Sequence, residues 1–144
     1  MKITRENVLA IYMLLAEATG GTVGIRDEGL LISALEAPYQ TFGGVELFPS
    51  TVEKIVRLGY GLVANHPFID GNKRIGILVM LTVLELNGIF VEFKDSEVIE
   101  MALGVASGTY KYEDLLEIVN NRLYETGNIK WESMKSGLKI THIY

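Results

Sequence analysis

The sequence predicts an all-α fold, a compact bundle of about six helices with at most a small β-hairpin. Three observations predict it. Apolar residues recur at the i, i+3, i+4, i+7 spacing of a helical face in most segments, and capping or stop residues bound those segments. Extended stretches are short. A chain of 144 residues also fits a single domain with one core.

The first two helices have clear start and stop signals. Thr4 can cap a first amphipathic helix, which Gly20 and Gly21 end. Asp27 is a good N-cap for a second, shorter helix, and Pro38 prevents that helix from continuing.

The next segment, Tyr39 to Pro49, combines aromatic residues with a glycine pair and a final proline, which indicates an extended loop or a small hairpin that could act as a flap. Ser50 and Glu53 then form a capping box that begins a third helix. Pro67 disfavours helical geometry at His66, so we expect the third helix to end there.

The segment Arg74 to Leu86 is apolar on almost every side, which is typical of a helix in the centre of a core. Gly76, in its first turn, would allow a neighbouring backbone to approach closely. Asn87 and Gly88 provide a C-cap.

Two more helices are predicted, at Ser96–Ala106 and Lys111–Glu125, and Phe90–Phe93 suggests a strand. These helices complete a domain of residues 1–125. In the remaining residues, 126–144, apolar positions alternate around a KSG turn. This tail is predicted to be either a terminal hairpin or disordered.

Composition excludes several classes of protein. The net charge of −5 argues against a nucleic-acid partner, which would need a basic face. The absence of cysteine excludes disulfides and a cysteine nucleophile, and agrees with a reducing cytoplasm. Charged residues interrupt the N-terminal apolar residues, and no apolar run is long enough to cross a bilayer. We therefore expect a soluble cytoplasmic protein without a membrane partner.

The most informative segment is His66–Arg74, which reads HPFIDGNKR. It combines an imidazole, a carboxylate, a carboxamide and two cations in one loop that opens a helix. Helix N-termini attract anions because their N–H groups lack intrahelical partners and the macrodipole adds positive charge. Lys73 and Arg74 add two full charges, so the loop indicates phosphate chemistry.

Each of these residues also has an ordinary structural interpretation. A single loop histidine is most often hydrogen-bonded for structure, and Asp70 could form an Asx turn or cap the next helix. Gly71 and Asn72 are common turn residues, whereas Lys73 and Arg74 would elsewhere be solvated. Because all of these residues occur in one loop, a catalytic interpretation is favoured over the structural ones. A neutral imidazole can accept a proton from a hydroxyl, and a carboxylate can bind Mg²⁺. Phe68 is chemically inert and is predicted to anchor the loop in the core.

HPFIDGNKR resembles the signature of the Fic/Doc superfamily, in particular its Doc (death on curing) branch. The segments Gly24–Pro38 and Thr41–Ser50 are also similar to the upstream part of Doc-like toxins, so the resemblance covers residues 1–124. It implies a Fic/Doc-like helical bundle. It also implies ATP as substrate, Mg²⁺ as cofactor and a Ser/Thr hydroxyl of a target protein as acceptor, by resemblance that of translation elongation factor Tu.

The resemblance also implies a role for each motif residue: His66 is the general base, Asp70 binds Mg²⁺, and Gly71, Asn72, Lys73 and Arg74 bind the nucleotide phosphates. Fic proteins have glycine where Lys73 stands and usually a second arginine where Ile77 stands. Both differences indicate Doc-type transfer of the γ-phosphate, a protein kinase activity. Fic-type AMPylation and a non-catalytic binding module are the alternatives.

Control of the activity is expected to come from a second protein. A Fic-style inhibitory segment is absent, since Ser96 and Glu100 approach its pattern but Met101 follows them. The family therefore implies an antitoxin that inhibits in trans.

Overall fold

A computed structural model describes residues 2–69 and 73–125 of the chain. Its helices are α1 (Arg5–Ala18), α2 (Glu28–Glu36), α3 (Thr51–Ala64), α4 (Arg74–Leu86), α5 (Asp95–Ser107) and α6 (Tyr112–Glu125). A 3₁₀ turn, Ala37–Tyr39, follows α2. Strands β1 (Thr41–Phe42) and β2 (Val45–Glu46) form one antiparallel hairpin. The predicted all-α bundle of six helices with a small hairpin is confirmed for these residues.

The predicted helix starts are confirmed by hydrogen bonds. The Thr4 side chain accepts from Asn7 N–H at 3.2 Å, and the Asp27 carboxylate accepts from Leu30 N–H at 2.9 Å. Ser50 and Glu53 form both bonds of the capping box, at 3.0 and 3.1 Å. These caps satisfy N–H groups that a helix leaves without intrahelical partners, so the sequence determines where the helices begin.

The core lies around α3 and α4. Helix α3 contacts α2, α4, α5 and α6, and α4 contacts α1, α3 and α5. The burial predicted for α4 is confirmed. Its buried residues are Ile75, Gly76, Ile77, Val79, Met80, Val83 and Leu84.

The close approach predicted at Gly76 is confirmed. A methyl group placed on Gly76 would lie 2.7 Å from Cγ2 of Val63 and 3.2 Å from the main-chain nitrogen of Val63. Only glycine fits there without displacing α3. The two helices that flank the motif loop are therefore packed closely together at the point where the loop joins them.

One sequence prediction needs correction. Phe90–Phe93 suggested a strand, but no strand is assigned there in the part of the chain that the structure describes. Val91 and Phe93 pack against the core whereas Phe90 is half exposed, so this segment is a connection that packs one side on the bundle. The prediction that Pro38 prevents α2 from continuing is confirmed: α2 ends at Glu36, and a 3₁₀ turn that contains Pro38 near its start follows. The tail at 126–144 lies outside the described residues.

An ion pair joins α5 to α6. Arg122 donates from Nη1 to Oε1 of Glu97 at 3.2 Å and from Nη2 to Oε2 at 2.5 Å. The Arg122 side chain, followed by the N–H of Lys94, lowers the pKa of Glu97 from 4.5 to about 2. The carboxylate therefore stabilises the fold at pH values above 4.5, and this contribution is lost as the pH falls towards 2.

We expect Glu97→Gln to lower the free energy of unfolding at neutral pH, with the deficit relative to the parent shrinking as the pH falls from 4.5 towards about 2. Denaturant unfolding of both proteins across that range measures the deficit. Glu17→Gln, at an exposed position of α1, is the control and should show no such trend. A Glu97→Gln deficit that is the same at all pH values would contradict the assignment.

None of the helices in the described part of the chain is long and apolar enough to cross a membrane.

Candidate functional site

The motif residues lie on the connector between α3 and α4. His66 comes two residues after the end of α3, whereas Lys73 is the N-cap of α4 and Arg74 its first residue. His66 is half-buried, and both cations are exposed. Asp70, Gly71 and Asn72 lie outside the described residues, so their predicted roles stay predictions.

His66 has an unusual main chain. Its φ is +50°, and it is the one non-glycine residue with positive φ in the described ranges 2–69 and 73–125. This left-handed conformation costs an L-residue about 1–2 kcal/mol, although histidine adopts it more often than most. Pro67 explains only why His66 is not helical, because a residue before proline avoids the right-handed helical conformation and favours extended backbone with negative φ. Surrounding contacts must hold the loop in this shape.

A second segment, Gly24–Asp27, provides those contacts. The N–H groups of Arg26 and Asp27 donate to the Pro67 carbonyl at 2.6 and 3.1 Å, and Ile69 N–H donates to the Gly24 carbonyl at 2.9 Å. The two segments thus run antiparallel for a few residues and form a short main-chain pairing. We call Gly24–Asp27 the support segment.

The Arg26 side chain adds two more bonds. Its Nε donates to the His66 carbonyl at 2.8 Å, and its Nη2 donates to the Asn65 carbonyl at 3.1 Å. One guanidinium therefore holds two successive carbonyls on either side of the residue with positive φ. Asn65 is also fixed from its side chain, since Nδ2 donates to the Leu30 carbonyl on α2 at 3.1 Å.

Tyr12 and Phe68 anchor both segments in the core. Their rings stack with centroids 3.8 Å apart and an interplanar angle of 6°. The Tyr12 hydroxyl donates to the Gly24 carbonyl at 3.2 Å and accepts from Gly24 N–H at 3.1 Å. Each ring is 2% exposed or less, so the predicted anchoring role of Phe68 is confirmed. Tyr12 connects α1 to the support segment and, through Phe68, to the motif.

Sequence reasoning missed the support segment. Arg26 is separated from His66 by 40 residues, and a single arginine next to a helix cap is usually a solvated charge. The weak signal was that the sequence around it, Gly24–Pro38, carried part of the family resemblance. The contact itself depends on tertiary packing.

The start of α4 can attract an anion. The N-cap residue is lysine, whose side chain has no acceptor and makes no capping hydrogen bond. The adjacent Arg74 is exposed, so a helix N-terminus and two cations act at one place. Phosphate binding at this place stays a prediction.

The antiparallel hairpin is held to α3. In its register Thr41 faces Glu46 and Phe42 faces Val45. Lys54 Nζ, on α3, donates to Glu46 Oε1 at 2.7 Å and to the Phe48 carbonyl at 2.5 Å. Of the two structures predicted for this segment, the hairpin is confirmed, and its role as a flap stays a prediction.

Comparison with known proteins identifies the family. Residues 2–84 match the sequence model described as the Fic/DOC family. This match is more than half of the chain and contains the whole motif, 66–74. The chain belongs to the Fic/DOC family.

Within this Fic/DOC protein, the match covers α1 to α3, the hairpin, the support segment and most of α4, whereas α5 and α6 lie outside it. One curated relative is Toxin Doc from Mycolicibacterium smegmatis (strain ATCC 700084 / mc(2)155), which is 37% identical over 87 residues. Those residues are 60% of this chain and 65% of the relative, so the match spans slightly less than two thirds of the relative's length. No solved structure gave a significant match.

Proposed function

We propose that this chain is a Doc-type toxin that transfers the γ-phosphate of ATP to a Ser or Thr hydroxyl of a target protein. Fic/DOC enzymes generally transfer a phosphate or a nucleotide to proteins, so family membership supports a transferase. The observation that favours γ-phosphate transfer over AMP transfer is Lys73, because the Fic branch has glycine at this position. A lysine side chain takes space that the α- and β-phosphates would need for AMP transfer, and its charge suits a terminal phosphate.

The positive charges of two described residues support nucleotide binding at the start of α4. Lys73 and Arg74 are both exposed at the N-terminus of α4, in a protein whose net charge is −5. A nucleotide would therefore meet a local positive site on an acidic protein. Lysine supplies a point charge, and arginine supplies a planar fork for two phosphate oxygens.

In the proposed reaction His66 accepts the proton of the acceptor hydroxyl. The hydroxyl oxygen then forms a bond to the γ-phosphorus, while the bond from that phosphorus to the β–γ bridging oxygen breaks. The products are ADP and a phosphorylated Ser or Thr. Gly71 and Asn72 would contact the phosphates together with Lys73 and Arg74. Such a transfer depends mainly on positioning and charge neutralisation, which a short loop can supply.

Asp70 would hold Mg²⁺ together with the nucleotide phosphates, and the ion would neutralise charge that develops on them. The donor set fits this ion: Mg²⁺ commonly takes one or two carboxylates plus substrate phosphates and waters. Among the described residues, no cluster of three or more His, Cys, Asp or Glu side chains could hold a metal. We therefore propose that the ion arrives with the nucleotide, whose phosphates supply the remaining oxygen ligands.

The proposed partners follow from the family. The relative named Toxin Doc supports a toxin that is paired with an antitoxin acting in trans. The proposed acceptor is translation elongation factor Tu, and its modification would arrest translation and growth in the cytoplasm. A segment of the antitoxin that orders on binding could block the loop reversibly.

Incubation with ATP labelled at either the α- or the γ-phosphorus tests the proposal. The purified chain, Mg²⁺ and elongation factor Tu are mixed with each form, and label on the factor is measured. We expect label from γ-labelled ATP alone. Label from α-labelled ATP would instead establish AMPylation, and label from neither form would support a non-catalytic binding module.

A further inference from the structure

Building on the proposed function, we propose that Arg26 is a positioning residue for the transfer reaction. Its guanidinium holds the main chain of His66 in the left-handed conformation and so fixes the direction in which the imidazole leaves the loop. Arg26 does not touch the reacting atoms in this proposal. It acts through His66.

The geometry of the contact supports a positioning role. Nε and Nη2 reach the carbonyls of His66 and Asn65, at 2.8 and 3.1 Å, and these carbonyls belong to the two peptide groups on either side of the His66 Cα. Fixing both peptide planes fixes φ and ψ of His66. Because φ of His66 is +50°, a loop without this restraint would be expected to relax towards negative φ.

The chemistry of arginine matters here. Its planar fork offers several donors in a fixed arrangement, so two carbonyls can be held at once. A lysine has one ammonium group on a flexible stem and could restrain one carbonyl well. The contact therefore predicts an order of activity in which arginine exceeds lysine, and lysine exceeds alanine.

The hydrogen bonds of the Arg26 side chain can be removed without unfolding the protein. Arg26 is exposed, and the main-chain bonds from Arg26 and Asp27 to the Pro67 carbonyl do not need its side chain. Tyr12 and Phe68 independently anchor the two segments. Truncating Arg26 should thus remove two hydrogen bonds to the loop and leave the bundle intact.

Steady-state kinetics of Arg26→Ala and Arg26→Lys test the proposal. We expect kcat of Arg26→Ala to fall about 100-fold, because a small misplacement of a catalytic group has an effect of that size, with KM for ATP unchanged. Arg26→Lys should recover part of the loss. Arg5→Ala is the matched control, since Arg5 is also exposed and makes two hydrogen bonds, at 2.8 and 2.9 Å, but to Glu28. It should keep the parent kcat.

An NMR measurement separates this proposal from the proposed function. The chain has two histidines, so the His66 signals can be assigned by comparison with His66→Ala. In Arg26→Ala, the three-bond HN–Hα coupling and the Cα shift of His66 should move away from left-handed values, and the melting temperature should stay close to that of the parent.

Several results would overturn the proposal: an unchanged kcat, an unchanged His66 conformation, or a loss of activity that only follows a lower melting temperature. If the parent itself transfers no phosphate, the proposed function fails and the positioning role fails with it. The NMR comparison would still decide whether Arg26 holds the conformation of His66.

Discussion

Replacing His66 with alanine is expected to lower kcat for phosphoryl transfer by about 10² to 10⁴-fold, the usual contribution of a general base. The imidazole is the proposed acceptor of the hydroxyl proton, and alanine has no group that can accept one. Transfer of γ-label from ATP to elongation factor Tu, followed over time, measures the effect. KM for ATP should change little, because the phosphate-binding residues remain.

His142→Ala is the control for this experiment, as it removes the other histidine of the chain. It should retain the parent rate. Thermal melting of both variants should match that of the parent, since His66 is only half-buried. A His66→Ala variant with parental kcat would mean that the hydroxyl loses its proton by another route, and His66 would no longer be the base.

Replacing Phe68 with alanine is expected to lower the free energy of unfolding by about 3–5 kcal/mol. The ring is 2% exposed and stacks on Tyr12 at 3.8 Å, so its removal leaves a cavity and ends the stacking. Activity should fall as well, because Phe68 pairs with Ile25 of the support segment and anchors the motif loop. Urea unfolding of parent and variant measures the stability change.

Phe42→Ala offers a matched control for the Phe68 experiment. Phe42 lies on the hairpin and is 81% exposed, so the same substitution there should change stability by no more than about 0.5 kcal/mol. If both substitutions have equally small effects, Phe68 is not an anchor of the loop. The restraint on His66 would then have to come from the main-chain pairing and Arg26 alone.

Much of the fold could be predicted because its determinants are local. Thr4, Asp27 and Ser50 each accept a hydrogen bond from an N–H three residues ahead, so the short sequence around each cap is sufficient to place the helix start. The burial of α4 follows from its nearly continuous apolar sequence. Phe90–Phe93 shows the limit of local patterns: a short run of aromatic and β-branched residues forms a strand only beside a partner strand, and local sequence does not show whether one exists.

The candidate site could be predicted only in part, for the same reason. The motif indicated which side chains carry the chemistry, and Pro67 indicated that the chain leaves α3 at His66. The contacts of Arg26 with Asn65 and His66 join residues about 40 positions apart, and they depend on how α1, α2 and α3 pack. The local sequence does not show how these helices pack. The residues that orient the motif were therefore identified from the structure.

We propose above all that the connector between α3 and α4 binds a nucleotide with its terminal phosphate next to His66. A crystal structure with Mg²⁺ and a non-hydrolysable ATP analogue tests this most directly. We expect the γ-phosphate beside the His66 imidazole, with Lys73 and Arg74 in contact with phosphate oxygens. An α-phosphate in that position, or a nucleotide bound elsewhere with the connector empty, would contradict it.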